Sequence, residues 1–164
     1  MIYDLLAQIE NGVGNKMHHM ALFAALTIPD IGGAVDSENG EANGEKYTAW
    51  FDSYVAPKYN AWGKQYLTGR DCYLYRCVML HQGRSHAPKG SYSKTVFLKA
   101  KQVNIAYCGA FTVDDGNTLC VDVPRFCHNI VYSAYDWLEK VEDTARFKKN
   151  SAKFLELFTL SFEE

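Results

Sequence analysis

Residues Met20-Ala21-Leu22-Phe23-Ala24-Ala25-Leu26 are apolar on every side of a helix, and this run constrains the fold more than any other feature of the chain. An amphipathic helix can lie on a surface, whereas one that is apolar all round has to be enclosed by other elements. The run predicts a central, buried helix, opening near Lys16 with Asn15 as its cap, and it requires further helices to pack about it.

The rest of the chain supplies those helices. Ile2, Leu5, Leu6 and Ile9 fall at the i, i+3, i+4, i+7 spacing of one helical face, and Gly12 and Gly14 are expected to stop that helix. Pro29 is expected to kink the central helix or to open a new one at its first turn. After a polar loop over 36–45, Tyr47, Trp50, Phe51, Tyr54 and Val55 form an aromatic stripe on a third helix, ended by Pro57. A fourth helix begins at Thr68 or Gly69 and runs to His81 or Gln82, with Gly83 where a left-handed C-cap glycine belongs. Pro124 opens a long fifth helix with Cys127, Ile130, Val131, Ala134, Leu138 and Val141 on one face, and a last helix is expected near 150–162. Between the fourth and fifth helices the period changes. Segments 95–98, 104–108 and 119–121 read as short strands, and Asp114-Asp115-Gly116-Asn117 reads as a hairpin turn. The expected fold is mainly α: one helical bundle over 1–164 with a small antiparallel hairpin or meander inserted around 94–122.

Composition fits this reading. With 164 residues, 48% hydrophobic and 22% charged, the chain is long enough to bury a core without staples. Collagen-like and low-complexity classes are excluded. No run of 18 apolar residues occurs, so neither a membrane-spanning helix nor a membrane partner is expected, and the start, Met1-Ile2-Tyr3-Asp4, does not read as a signal peptide. The five cysteines form no C-x-x-C pair; buried free thiols in a cytoplasmic protein are expected. Cys127 and His128 are adjacent rather than spaced as a ligand pair, so no metal is expected.

Charge is unevenly distributed. Residues 1–71 and 114–164 each carry −4, while residues 72–113 contain no Asp or Glu and six bases: Arg76, Arg84, Lys89, Lys94, Lys99 and Lys101. Such a stretch either creates a local field that attracts phosphates or pairs with the acidic flanks across the fold.

The chemistry-bearing constellation lies at the start of this stretch. Arg76 and His81 stand five residues apart near the end of the fourth helix, roughly 140° apart around its axis, so a long Arg side chain has to swing toward the His. An Arg clamps a phosphate in bidentate fashion, and a His moves a proton to or from a ribose hydroxyl. Together they form a minimal kit for phosphodiester cleavage. Asp30, in the apolar setting Ile28-Pro29-Asp30-Ile31, is expected to pair with an Arg of the fourth helix and to orient Arg76, since buried charges are usually paired. Asp71 is the other acid within reach, and Arg84, His86 and Lys89 follow on the next loop. No P-loop, dinucleotide fingerprint or His-Glu-x-x-His is present.

Arg76-x4-His81 followed by Gln82-Gly83, at the end of a buried helix in a helical domain, resembles the HEPN family (higher eukaryotes and prokaryotes nucleotide-binding). The resemblance implies a metal-independent RNA endonuclease without cofactor, of the kind found in toxin–antitoxin and phage-defence systems, dimerising to bring two motifs to one cleft. Carried over, Arg76 is the phosphate-binding arginine and His81 the catalytic histidine; Arg84 and Lys89 would hold the RNA strand, with Asp30, Asp71 and Gln82 in support. A polar residue commonly follows the family's arginine, and Cys77 stands there. The alternative implied is a non-catalytic nucleotide- or partner-binding protein on the same fold.

Overall fold

The computed structural model describes residues 1–87, 89–99 and 108–156. The first apolar stripe forms helix α1 (Ile2–Gly14), burying Ile2, Leu6 and Ile9. It runs through Gly12 and ends at Gly14, as the second glycine predicts; a Cβ on Gly12 would lie 3.2 Å from that of Ala21, so glycine there lets α2 pass close by. Asn15 serves the end of α1 instead of the start of α2, its Nδ2 donating to the Asn11 carbonyl at 2.9 Å.

Helix α2 (His18–Val35) is the central helix, in contact with α1, α3 (Gly44–Tyr54), α4 (Gly69–Gln82), α5 (Val123–Val141) and α6 (Ala145–Ser151). It continues through Pro29 unbroken; Ile28 and Pro29 are both buried, so packing on neighbouring helices compensates for the hydrogen bond that proline removes. Enclosure is incomplete, however. Met20 is 64% exposed and Phe23 and Ala24 are half-buried, because the neighbouring helices cover only part of the circumference. Gly32 permits the closest crossing: a Cβ there would sit 2.3 Å from Trp50 Nε1.

Helix α3 is capped by Asn43, whose side chain accepts from the Lys46 amide, and its aromatic stripe enters the core. Pro57 lies in the 3-10 turn that follows, ahead of a minute hairpin, β1 (Asn60–Ala61) and β2 (Lys64–Gln65). The second sheet holds β3 (Lys94–Leu98), β4 (Ala110–Val113) and β5 (Thr118–Asp122) in the order β3-β5-β4.

The β4–β5 hairpin is antiparallel about residues 114–117, as the turn residues predict, but β3 pairs with β5 in parallel, Lys94 opposite Thr118 through Leu98 opposite Asp122. No local signal encodes that pairing. Strand β5 is buried along all five residues and takes a neighbour on each edge, β4 antiparallel and β3 parallel. The strand expected at 104–108 lies outside the described residues except for Cys108, which is in a turn.

Helix α5 buries Phe126, Cys127, Ile130, Val131, Ala134, Trp137 and Leu138. Among the described residues the last helix, α6, ends at Ser151 and 152–156 are not helical; the remainder of the helix expected near 150–162 lies outside the described residues. Helix α6 is started by Thr144, whose hydroxyl accepts from the Phe147 amide. Asn150 Nδ2 then ties α6 to the end of α2, donating to the Val35 and Ser37 carbonyls at 2.9 and 2.8 Å. The five cysteines are free, four of them buried and Cys77 partly so; burial pushes the Cys72 and Cys127 thiols up to about 12. Among the described residues no helix is long and apolar enough to cross a membrane.

Candidate active site at the end of helix α4

Helix α4 is set between two well-defined ends. Thr68 Oγ1 accepts from the Asp71 amide at the start. Gly83 closes the helix in the left-handed region at φ 63°, its amide donating to the Met79 carbonyl. Cys72, Tyr75 and Met79 face the core, and Tyr47 locks the helix in place: its hydroxyl donates to the Leu26 carbonyl at 3.2 Å and contacts Cys72 Sγ at 3.3 Å.

This packing leaves Arg76 at the seam with α2. Its Nε donates to Asp30 Oδ2 at 2.8 Å, with side chains 25% and 19% exposed. On the other side its Nη1 lies 3.5 Å from His81 Nε2. The long side chain thus spans the angular gap between the two helix positions and joins Asp30, Arg76 and His81 in one row. Burial raises the Asp30 carboxyl above the ordinary carboxylate range, an effect that Arg76 offsets only in part. Burial works against the charge on Arg76 as well, but Asp30 outweighs it and holds the guanidinium firmly protonated. Asp30 takes Nε, Cys77 is a further hydrogen-bond partner of the guanidinium, and Nη1 lies on the His81 side, where an anion can be met. Tyr73 and Cys77 flank the row, one helical turn apart; the thiol raises the Tyr73 hydroxyl above its usual value.

No protein-family model, curated protein or solved structure matches the chain.

The other site residues inferred from the sequence divide into two groups. Gln82 and Arg84 are exposed and adjoin His81 at the helix end. Asp71 and Lys89 do not join them. Asp71 is buried at the first turn, where Oδ2 accepts from the Thr68 hydroxyl at 2.7 Å and Oδ1 from the Ser91 amide at 2.8 Å. It stands ten residues before His81, about 15 Å along the axis. The Ser91 bond folds the loop back along α4 and carries Lys89 toward that same far end. His86 is likewise occupied within the loop, its Nδ1 donating to the Ser93 carbonyl.

The acidic flanks do not consume the basic stretch. Among the described residues its one salt bridge is Arg76 to Asp30, so Arg84 and Lys94 contribute to a local positive field. Sequence reasoning named Lys94 as a base and 95–98 as a strand but did not place Lys94, Thr95 and Phe97 beside the end of α4, where β3 brings them. The only signal for that placement was the absence of acids from 72–113.

Proposed function

We propose that the protein is a HEPN-like, metal-independent RNA endonuclease whose reacting groups are His81 and Arg76. The observation that carries this reading is the 3.5 Å approach of Arg76 Nη1 to His81 Nε2, with Asp30 holding the opposite side of the guanidinium. In the reaction His81 takes the proton of a ribose 2′-hydroxyl. The 2′-oxygen attacks the neighbouring phosphorus, forming a P–O2′ bond and breaking the P–O5′ bond. The 5′-oxygen leaves with a proton from solvent or from the histidine of a second copy. Arg76 stabilises the charge that grows on the non-bridging oxygens. Asp30 acts as a positioning residue through Arg76, and Arg84 meets the strand beside the pair. Two copies meeting across this face would place two such pairs in one cleft.

The products are a 2′,3′-cyclic phosphate and a 5′-hydroxyl. Incubation of the protein with labelled single-stranded RNA in EDTA tests the reading, alongside Arg76→Ala and His81→Ala. The expected outcome is cleavage by wild type and a loss of at least a hundredfold in either variant. Equal cleavage by all three proteins would sink the proposal.

Two observations favour a second reading, a nucleotide-binding protein without turnover: Arg76 is already paired with Asp30, and Cys77 follows it. Binding of RNA that is lost in Arg76→Ala, with no product at any RNA concentration, would select that reading.

A further inference from the structure

We infer that the groove between α2, the last turn of α4 and β3 seats one unpaired nucleotide of a single-stranded RNA beside the Arg76–His81 pair. The choice of ligand rests on the ribonuclease reading above; the groove stands on its own geometry.

The groove encloses about 410 Å³, within the roughly 300–1,000 Å³ of small-ligand sites. Phe23 and Phe97 supply aromatic surface, Arg84 and Lys94 supply positive charge, and no residue lining it is acidic. Flat apolar walls with cations and without acids match a nucleobase carrying a phosphate. A third element is polar and buried. Thr95 lines the groove at 1% exposure. Its hydroxyl faces that of Tyr75, yet neither closes a hydrogen bond of normal geometry. Both hydroxyls are buried, so they serve the packing of β3 on α4, and the groove rests on its aromatic and basic walls.

The groove also continues the reactive row. Phe23 precedes Asp30 by seven residues on α2, and Gly83 follows Arg76 by seven on α4. Seven residues return to nearly the same helical face about 10 Å along the axis, so both walls extend the seam at which Asp30 holds Arg76. A strand whose phosphate meets Arg76 therefore reaches the groove with an adjacent nucleotide. A base still paired in a duplex cannot enter between a helix and a strand, which makes single-stranded RNA the substrate class. The β-sheet that interrupts the bundle thereby acquires a role as the second wall of the substrate site.

Fluorescence anisotropy with a 2′-O-methyl oligonucleotide, whose nucleophile is blocked, separates binding from cleavage. Wild type is expected to bind the single strand at least tenfold more tightly than the same sequence in a duplex. Phe97→Ala is expected to weaken binding about tenfold through lost stacking. Phe97→Leu, which keeps an apolar side chain beside Tyr75 and so protects the fold, should weaken it less but measurably. Lys94→Glu should weaken binding and flatten its salt dependence by about one phosphate contact.

Equal affinity for duplex and single strand, no binding of either, or groove variants with wild-type affinity would each overturn the inference. The two readings fail separately. If wild type leaves RNA uncut but the groove variants weaken binding, the groove stands and the nuclease falls. If Arg76→Ala and His81→Ala abolish cleavage while the groove variants bind and cut normally, the nuclease stands and the groove inference falls.

Discussion

The two ends of α4 each engage a buried or half-buried aspartate, and the contrast between them separates scaffold from site. At the first turn Asp71 is 1% exposed and bound by the Thr68 hydroxyl and the Ser91 amide. These neutral donors come from the cap and from the returning loop, so the carboxylate fastens two segments together. At the last turns Asp30 reaches in from α2 to a guanidinium that is itself a quarter exposed and extends on to an exposed histidine. Here the carboxylate orients a cation that still has donors to offer. Burial alone does not distinguish the two carboxylates; what distinguishes them is whether the partner keeps donors that face solvent.

Perturbing either end sharpens the comparison. The largest stability effect should come from Asp71→Ala, which strips the partners from Thr68 and Ser91 and leaves a void. A loss of roughly 2–3 kcal/mol corresponds to a melting temperature lower by roughly 4–12 °C, and a calorimetric shift below about 2 °C would break the assignment of Asp71 to the scaffold. Thr68→Ala removes the same cap from the helix side at about 1 kcal/mol, readable as a smaller shift in urea midpoint. Gly83→Ala should cost a similar amount, about 1 kcal/mol, through strain rather than contact. The position has φ 63° and open space where the added methyl group would stand, so a loss far above that would show a hidden packing role.

The smallest effect is the most specific to the site end. The Asp30 carboxyl is raised above its ordinary range in the folded chain, so it binds a proton more readily folded than unfolded. Its contribution to stability therefore grows as pH falls through the range between its folded and unfolded values, and is lost again as pH rises through that range. Asp30→Asn cannot titrate there. The stability of wild type relative to Asp30→Asn, measured by urea unfolding, should shift toward wild type on acidification; a flat or opposite difference would show that Arg76 cancels the burial completely.

Much of α4 and its site was legible in the sequence. Thr68, Gly83 and the Arg76–His81 spacing act within one or two helical turns, and local chemistry is what a single sequence expresses most directly. Asp30 was legible for a different reason: a charge set in an apolar helix demands a partner, and the bases of α4 were the natural candidates. Asp71 and Lys89 were misplaced because the loop after Gly83 returns along α4, and the Ser91 amide that fixes this return carries no distinctive side chain. The start of α6 was likewise not legible, since the apolar residues Phe154 and Leu155 outweighed the cap at Thr144 in any reading by periodicity.

The sequence by itself determined the helical class, the caps of α4, the turn of the β4–β5 hairpin and the acid-free stretch, because these depend on residue type and short-range spacing. Only the tertiary structure decided that β3 runs parallel to β5, that α2 keeps one side uncovered, and that β3 stands beside the end of α4 to form a groove. Those outcomes depend on which buried surfaces meet across long separations in the chain, where the free energy is set by packing and burial and not by the preferences of neighbouring residues.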